Sequence, residues 1–196
     1  MSEETGMIDY RTVASLSGRL LVASPVLKDP NFDRTVVLLL GHEPDGALGV
    51  VLNRATEMPV TDVLEGWDGL IPEPAVVFEG GPVQPESAIA VARLRTDVSQ
   101  PACFRTFAGR LGTLDLAADP EPLADSIDGL RIFAGYAGWG PGQLENEIDE
   151  GAWLVFDVLP GDAFSPTPEE LWPMVWRRQV GLLAAVAFYP ADPGMN

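Results

Sequence analysis

Arg131-Ile132-Phe133-Ala134-Gly135-Tyr136-Ala137-Gly138-Trp139-Gly140-Pro141-Gly142-Gln143-Leu144-Glu145 is the stretch on which the fold turns. The apolar run over residues 130–134 reads as a strand, after which four glycines alternate with two large aromatic residues. Pro141 stands where a helix can begin, and Gln143, Glu145 and Glu147 follow in its first turns. That pattern predicts a short acidic helix over residues 143–150. A strand passing through a glycine turn into a helix start gathers backbone N–H groups at one point, where an anion, a carbonyl or a partner's main chain can be held. The same glycines can be purely architectural, because a residue without Cβ lets two strands or a large ring approach closely. A glycine turn without a phosphate signature favours the architectural reading.

Outward from this stretch, residues 19–25 read as a strand that stops at Pro25. Residues 28–34 form a polar turn opened by Asp29-Pro30, since an aspartate side chain accepts a hydrogen bond from an N–H two residues on. Residues 35–40 are apolar on both faces and predict a central strand. Residues 47–52 return as its hairpin partner. Further strands are expected over residues 74–78, 87–95, 112–116 and 152–158, with a second glycine turn over residues 79–83. Helical spacing places Val60, Val63, Leu64 and Trp67 on one face, and Asp119-Pro120 looks like the cap of a helix reaching Ile127. Thr167-Pro168-Glu169-Glu170 has the capping-box pattern and predicts a helix to about residue 179. Residues 97–110 have no clear pattern, and the apolar run 180–189 packs as a final element of open type. Strands and helices alternate irregularly and several strands are joined by tight turns, which predicts a single α+β domain with a mixed sheet. Residues 1–17 are expected to be a flexible leader and residues 18–196 the domain.

Composition narrows the functional classes. The chain of 196 residues is 46% apolar and carries a net charge of −17, so it is globular and repels nucleic-acid phosphates unless its bases cluster. The charge is uneven: residues 111–196 hold 14 acids against three bases. Cys103 is the only cysteine, which rules out an intramolecular disulfide and a cysteine zinc site and suits a reducing cytoplasm. The acidic start of the chain lacks a signal-peptide core, and the longest apolar run, residues 181–189, is too short to span a bilayer. A cytoplasmic protein with no membrane partner is expected.

Five motifs in a fixed order carry a resemblance. They are Gly18-Arg19-Leu20-Leu21-Val22-Ala23-Ser24-Pro25; Asp29-Pro30-Asn31-Phe32 with Arg34-Thr35-Val36-Val37; Gly46-Ala47, Gly49 and Leu52-Asn53-Arg54; Gly80-Gly81-Pro82-Val83; and the stretch from Gly135 to Glu145. Together they resemble the YqgE/AlgH family over nearly the whole chain from Gly18 to Gly194. The resemblance implies a compact α+β domain whose branched, strongly curved sheet closes into a pseudo-barrel with flanking helices. It implies no activity; members carry the label of transcriptional regulator, through a link to exopolysaccharide control, without a recognised DNA-binding motif. One departure stands out: the family often has Leu-His after the Gly-Gly-Pro-Val turn, where this chain has Leu94-Arg95.

Candidate chemistry is sparse. His42, the only histidine, sits at a turn near Glu43 and Asp45, a suitable place for a general base. Ser24 or Thr35 could serve as its nucleophile, but no nucleophile-elbow motif is present. The Gly135–Glu145 segment lacks both the P-loop Lys-Ser/Thr pair and the dinucleotide Gly-x-Gly-x-x-Gly order, and its following acids oppose a phosphate. Glu145 and Asp149 share a helix face and could hold a hard cation, although solvated acids are the commoner outcome. Arg34 and Arg54 fall at adjoining ends of the predicted hairpin, where with Asp29, Asn31 and Asn53 they form either a structural ion-pair network or an anion-binding edge. Gly80, Gly81, Tyr136, Trp139, Gln143 and Glu145 complete the candidate ligand- or partner-binding set. No cofactor and no metal are implied. The leading expectation is a cytoplasmic regulatory or adaptor protein that binds a protein or small ligand. The rival is a small hydrolase or transferase using His42 with a carboxylate, or a cation at Glu145/Asp149. Direct nucleic-acid binding is not expected, since only Arg177-Arg178 and Arg93/Arg95 form local basic clusters.

Overall fold

The computed structural model describes residues 7–190. Ten strands form one sheet: β1 (Arg19–Ala23), β2 (Val36–Glu43), β3 (Gly46–Val51), β4 (Ala55–Pro59), β5 (Val76–Glu79), β6 (Val83–Leu94), β7 (Phe104–Ala108), β8 (Leu111–Leu114), β9 (Ile127–Trp139) and β10 (Trp153–Asp157). Their order is β10-β1-β2-β3-β9-β6-β8-β7, with β4 and β5 branching off. All pairings are antiparallel except β5 with β9, so the sheet is mixed. Three helices flank it: α1 (Gln143–Asp149), α2 (Leu171–Arg177) and α3 (Leu182–Ala185).

The first three strands follow from their apolar runs. Leu20, Val22, Val36 and Leu38 enter one core with Phe156, Trp172 and Trp176, while Leu21, Ala23, Val37 and Leu39 enter another with Trp139, Leu144 and Trp153. Both faces of these strands are therefore dry, which is why the sequence does not alternate there. α2 covers the first face and α1 the second. A third core, from Val60 and Trp67 to Ile132, draws on β6, β8 and β9.

β9 is the branch point. Along one edge it pairs with β6; along the other it pairs first with β5, through Phe133 and Ala134, and then with β3, through Ala137 to Trp139. The opening stretch is thus a strand through most of its glycines, where a turn was expected. Gly135 bends it with a φ of 70°, and Gly142, at the same φ, caps α1. Main chain meets main chain at the bend. A Cβ on Gly135 would lie 2.6 Å from the Gly81 carbonyl oxygen, one on Gly80 2.3 Å from that of Gly135, and one on Gly81 2.3 Å from the Tyr136 carbonyl carbon. The sheet curls enough for its ends to meet: five strands separate β1 from β7 in the order, yet Gly18 touches Ala108.

Several sequence expectations need correction. Residues 59–67 form no helix, because β4 pairs with β5 and the Val60 N–H goes to the Ala75 carbonyl; a single 3₁₀ turn, Val60–Asp62, follows. The helix at 119–127 shrinks to one 3₁₀ turn, Glu121–Leu123, although the Asp119 carboxylate does accept from the Glu121 N–H. Thr167 makes no side-chain cap; Ser165 Oγ accepts from the Thr167 N–H instead, and a 3₁₀ turn leads into α2. Residues 97–110 contain β7. Within the expected leader, Leu16 is buried and Ile8 donates to the Val155 carbonyl across the edge of β10. Residues 1–6 of that expected leader lie outside the described residues.

Gly135→Ala is expected to cost about 3 kcal/mol or more, since it combines a disfavoured φ with a backbone clash. Gly138→Ala, whose new Cβ meets the edge of the Tyr136 ring at 3.4 Å and Val83 at 4.0 Å, both ordinary contacts, is expected to stay within about 1 kcal/mol of the parent. Urea unfolding of the two variants beside the parent separates them, and equal losses would show that the bend is not the branch constraint.

Candidate functional site

α1 leaves the end of β9 and places its acids where three different elements meet. Glu147 faces the core: its Oε2 accepts from Trp139 Nε1 and Trp153 Nε1, each at 2.9 Å, and its Oε1 accepts from Gln143 Nε2 at 2.9 Å. Gln143 in turn accepts from the Gly140 N–H at 3.1 Å, closing the helix start. The two indoles meet edge to face, with Phe32 against both. Asp149, on the opposite side of the helix, accepts from Tyr10 Oη at 2.8 Å and from Arg11. The bond to Asp149, chiefly, holds the Tyr10 phenol above its ordinary pKa, so the phenol stays protonated and donating.

Glu145 accepts from His42 Nε2 at 2.8 Å. The other ring nitrogen, Nδ1, accepts from the Leu16 backbone N–H at 3.1 Å. That donor fixes the tautomer: Nδ1 carries the lone pair and Nε2 the proton. Both nitrogens are therefore engaged, and taking up a proton at Nδ1 would break the contact that docks residues 15–17. The proposed nucleophiles are engaged elsewhere: Ser24 Oγ donates to the Gly151 carbonyl at 2.6 Å and Thr35 Oγ1 to the Phe32 carbonyl at 2.8 Å. Glu145 and Asp149 do not converge on a cation site, because one holds His42 and the other Tyr10 and Arg11. No metal-holding group of His, Cys, Asp and Glu occurs among the described residues.

The Asp29–Arg54 set comes together, but as architecture. Asp29 accepts from the Asn31 N–H at 2.8 Å, as the turn chemistry predicts. Arg34 adopts a φ of 56°, and the Asn53 carboxamide holds the strained turn by donating to the Arg34 carbonyl and accepting from the Val36 N–H, both at 2.9 Å. The two guanidiniums do not form the expected network with Asp29. Arg34 lies over Trp172 at 4.6 Å and donates to the Tyr189 carbonyl, whereas Arg54 donates to the Pro30 carbonyl at 2.8 Å. Gly80 joins two strands, donating to Ala134 and accepting from the Val51 N–H, and Gly81 packs on Tyr136; both are structural. Tyr136 is half-buried against the first core, and Trp139 is buried.

Sequence reasoning assigned no role to Arg131. Its side chain is fully buried with no acidic partner among the described residues; it donates to the Ser165 carbonyl at 3.2 Å and the Glu73 carbonyl at 3.4 Å and lies over the Phe78 ring at 4.2 Å. Burial lowers its pKa to about 10. The available signal was a lone charge between Leu130 and Ile132 in a strand dry on both sides. Equally hidden was Asp162, buried and gripped by both terminal nitrogens of Arg178 at 2.8 and 2.7 Å.

The fold is a branched, curled α+β sheet in which the one histidine is tied to Glu145 and in which Glu147 and Asp149 of α1 are also hydrogen-bonded. The AlgH-like family profile matches residues 20–184, and the chain belongs to that family. A UPF0301 protein of Streptomyces avermitilis is 58% identical over 187 residues, covering 94% of this chain and 97% of its own. One from Thermobifida fusca is 46% identical over 191 residues, covering 93% and 96%. Among solved structures, protein DIP2367 of Corynebacterium diphtheriae superposes with a TM-score of 0.83 at 33% identity, over 87% of this chain and 90% of that one. The AlgH protein of Pseudomonas aeruginosa does so with a TM-score of 0.63 at 28% identity, over 94% and 99%.

Glu147→Ala leaves two buried indole N–H groups without an acceptor and is expected to cost about 2–4 kcal/mol, with a red-shifted tryptophan emission in whatever fraction stays folded. Glu147→Gln, which keeps one acceptor oxygen, should lose less. Arg131→Ala is expected to cost about 3–5 kcal/mol through its cavity and two stranded carbonyls. The unfolded chain holds the Arg131 proton more tightly than the folded one. The stability of the parent relative to Arg131→Met should therefore rise as pH passes upward through about 10, read from unfolding midpoints across that range.

Proposed function

We propose that this protein is a non-catalytic regulatory or adaptor protein of the cytoplasm that acts by binding a protein or small ligand. Any effect on transcription is then indirect. The observation that carries this reading is the state of His42. A general base needs a free lone pair facing a substrate, and here Nδ1 is taken by a main-chain N–H and Nε2 is tied to Glu145. Exposed apolar side chains near the end of the described chain support binding over chemistry. Leu182 is 91% exposed and Phe188 77%, with Val180 and Met174 also open to solvent. Among the described residues no helix is long and apolar enough to cross a membrane. Nucleic acid is not the proposed partner: Arg177 pairs with Glu170, Arg178 with Asp162 and Arg93 with Asp128, so three of the four arginines in the two basic clusters have an acidic partner in a chain of net charge −17.

The rival, a hydrolase or transferase dependent on His42, predicts turnover of some ester, phosphoester or glycoside. His42→Ala is expected to lower stability by about 1–2 kcal/mol, because the Leu16 N–H loses its acceptor. The purified parent is expected to show no hydrolysis above background with nitrophenyl ester, phosphate and glycoside substrates. Turnover by the parent that disappears in His42→Ala would overturn the proposal.

A further inference from the structure

The curl of the sheet leaves a cleft that α1 does not touch and that none of the residues discussed above as site candidates line. It lies at the seam where the two ends of the sheet approach without pairing. The start of β1 and the end of β10 form one wall; the β7–β8 hairpin and the end of β6 form the other. A Cβ on Gly18 would stand 2.1 Å from Ala108 Cβ, so the walls touch at one end. Beyond that contact they enclose about 370 Å³.

The lining is basic in a chain of net charge −17. Arg19, Arg93 and Arg110 face one acid, Asp157. Two of the guanidiniums are already held in place. Arg93 donates through Nε to Asp128 Oδ1 at 2.5 Å and through Nη1 to the Pro160 carbonyl at 2.6 Å. Arg110 donates through Nη1 to the Leu94 carbonyl at 2.7 Å, with Asp128 Oδ2 at 3.5 Å. Asp128, which is not part of the lining, bonds Arg93 and stands near Arg110. Each guanidinium offers five N–H donors, and Arg93 Nη2 together with Arg110 Nε and Nη2 has no partner among the described residues. Arg19 is paired with Asp157. Phe107, Leu111 and Val158 supply an apolar surface beside these donors.

Fixed, unused donors next to apolar surface suit one kind of ligand, because the rotamer cost of forming charge-assisted bonds has already been met by the anchoring carbonyls. The geometry points to a binding site for a small amphipathic anion: a compact carboxylate or phosphate group on Arg93 and Arg110, with an apolar body against Phe107, Leu111 and Val158. This names a ligand class for the non-catalytic binding reading and rests on it.

The test is thermal unfolding of the full chain with benzoate, phenyl phosphate, inorganic phosphate and, as a neutral control, benzyl alcohol. Benzoate or phenyl phosphate is expected to raise the midpoint in a saturable way that fades as salt is added, while benzyl alcohol is not. The stronger of the two identifies the headgroup, and inorganic phosphate shows whether the apolar body is needed. Arg110→Gln should weaken binding about tenfold, the loss of a charge-assisted contact. Asp157→Asn, which removes the only acid of the lining, should tighten it, a gain that misfolding cannot produce. Arg105→Gln makes the same charge change as Arg110→Gln on the exposed face of β7 and should leave binding unchanged. No saturable shift with either organic anion would overturn the site, as would equal weakening by Arg105→Gln and Arg110→Gln. Release of phenol from phenyl phosphate would instead overturn the non-catalytic reading and leave the site standing.

Discussion

At Gly80, Gly81 and Gly135 main chain meets main chain with no room for a side chain, and the shape of the molecule depends on that contact. It lets β9 change partners along one edge, from β5 to β3, while β6 follows the other. A strand that serves three neighbours cannot stay flat, and the sheet curls around the change. The curl brings β1 against the β7–β8 hairpin at the seam. It also sends the chain out of β9 directly into α1, so the helix acids land beside the β2–β3 hairpin, the indoles of β9 and β10, and the N-terminal residues. Both sites discussed above are thus consequences of one backbone crossing.

Among the acids of α1, magnitudes separate structural from incidental contacts. Asp149 with Tyr10 and Arg11 is largely exposed, and solvent screening leaves such pairs little net worth. Glu147 receives two indole donors from buried rings, where removing the acceptor strands each N–H at about 1–3 kcal/mol. Glu147, rather than the more numerous exposed acids, fastens α1. Arg131 illustrates the opposite balance. Its charge is buried with no carboxylate partner among the described residues, and two carbonyls and the Phe78 face offset only part of the desolvation, which is why its pKa falls. The residue ties the loops at Glu73 and Ser165 to the middle of β9 at the expense of a permanently uncomfortable charge.

What the sequence disclosed follows from which interactions are local. The hairpin of residues 35–52 was readable because both strands are apolar and joined by a turn, and the Asp29 turn because an aspartate bonds its own neighbour. The helix at 143–150 was readable for the same reason. The helix expected at 59–67 failed because β4 pairs with β5 up to Pro59, and because Val60 and Trp67 are buried in the third core while Val63, on the same expected face, is exposed. The glycine stretch was misread as a turn because nothing local distinguishes a glycine that bends a strand from one that ends it; the distinction lies with Gly81, more than fifty residues away. His42 with Glu145, Arg178 with Asp162, and the seam arginines join residues far apart in the chain, and one sequence carries no trace of such meetings.

A side chain that will act on a substrate has to be underemployed before the substrate arrives. Lone pairs and N–H groups aimed at solvent or into a cleft are the stored capacity for recognition. Around α1 much of that capacity is spent: His42 has used both nitrogens, Glu147 both oxygens, and Gln143 both ends of its amide. The residues that looked most like chemistry in the sequence are those the fold needs to hold its own N-terminal segment and helix. At the seam the balance is reversed, because Arg93 and Arg110 are anchored through some of their donors and keep others unspent beside apolar surface. Recognition belongs where rigidity and unused donors coincide, and in this fold that place is the seam opened by the curl of the sheet.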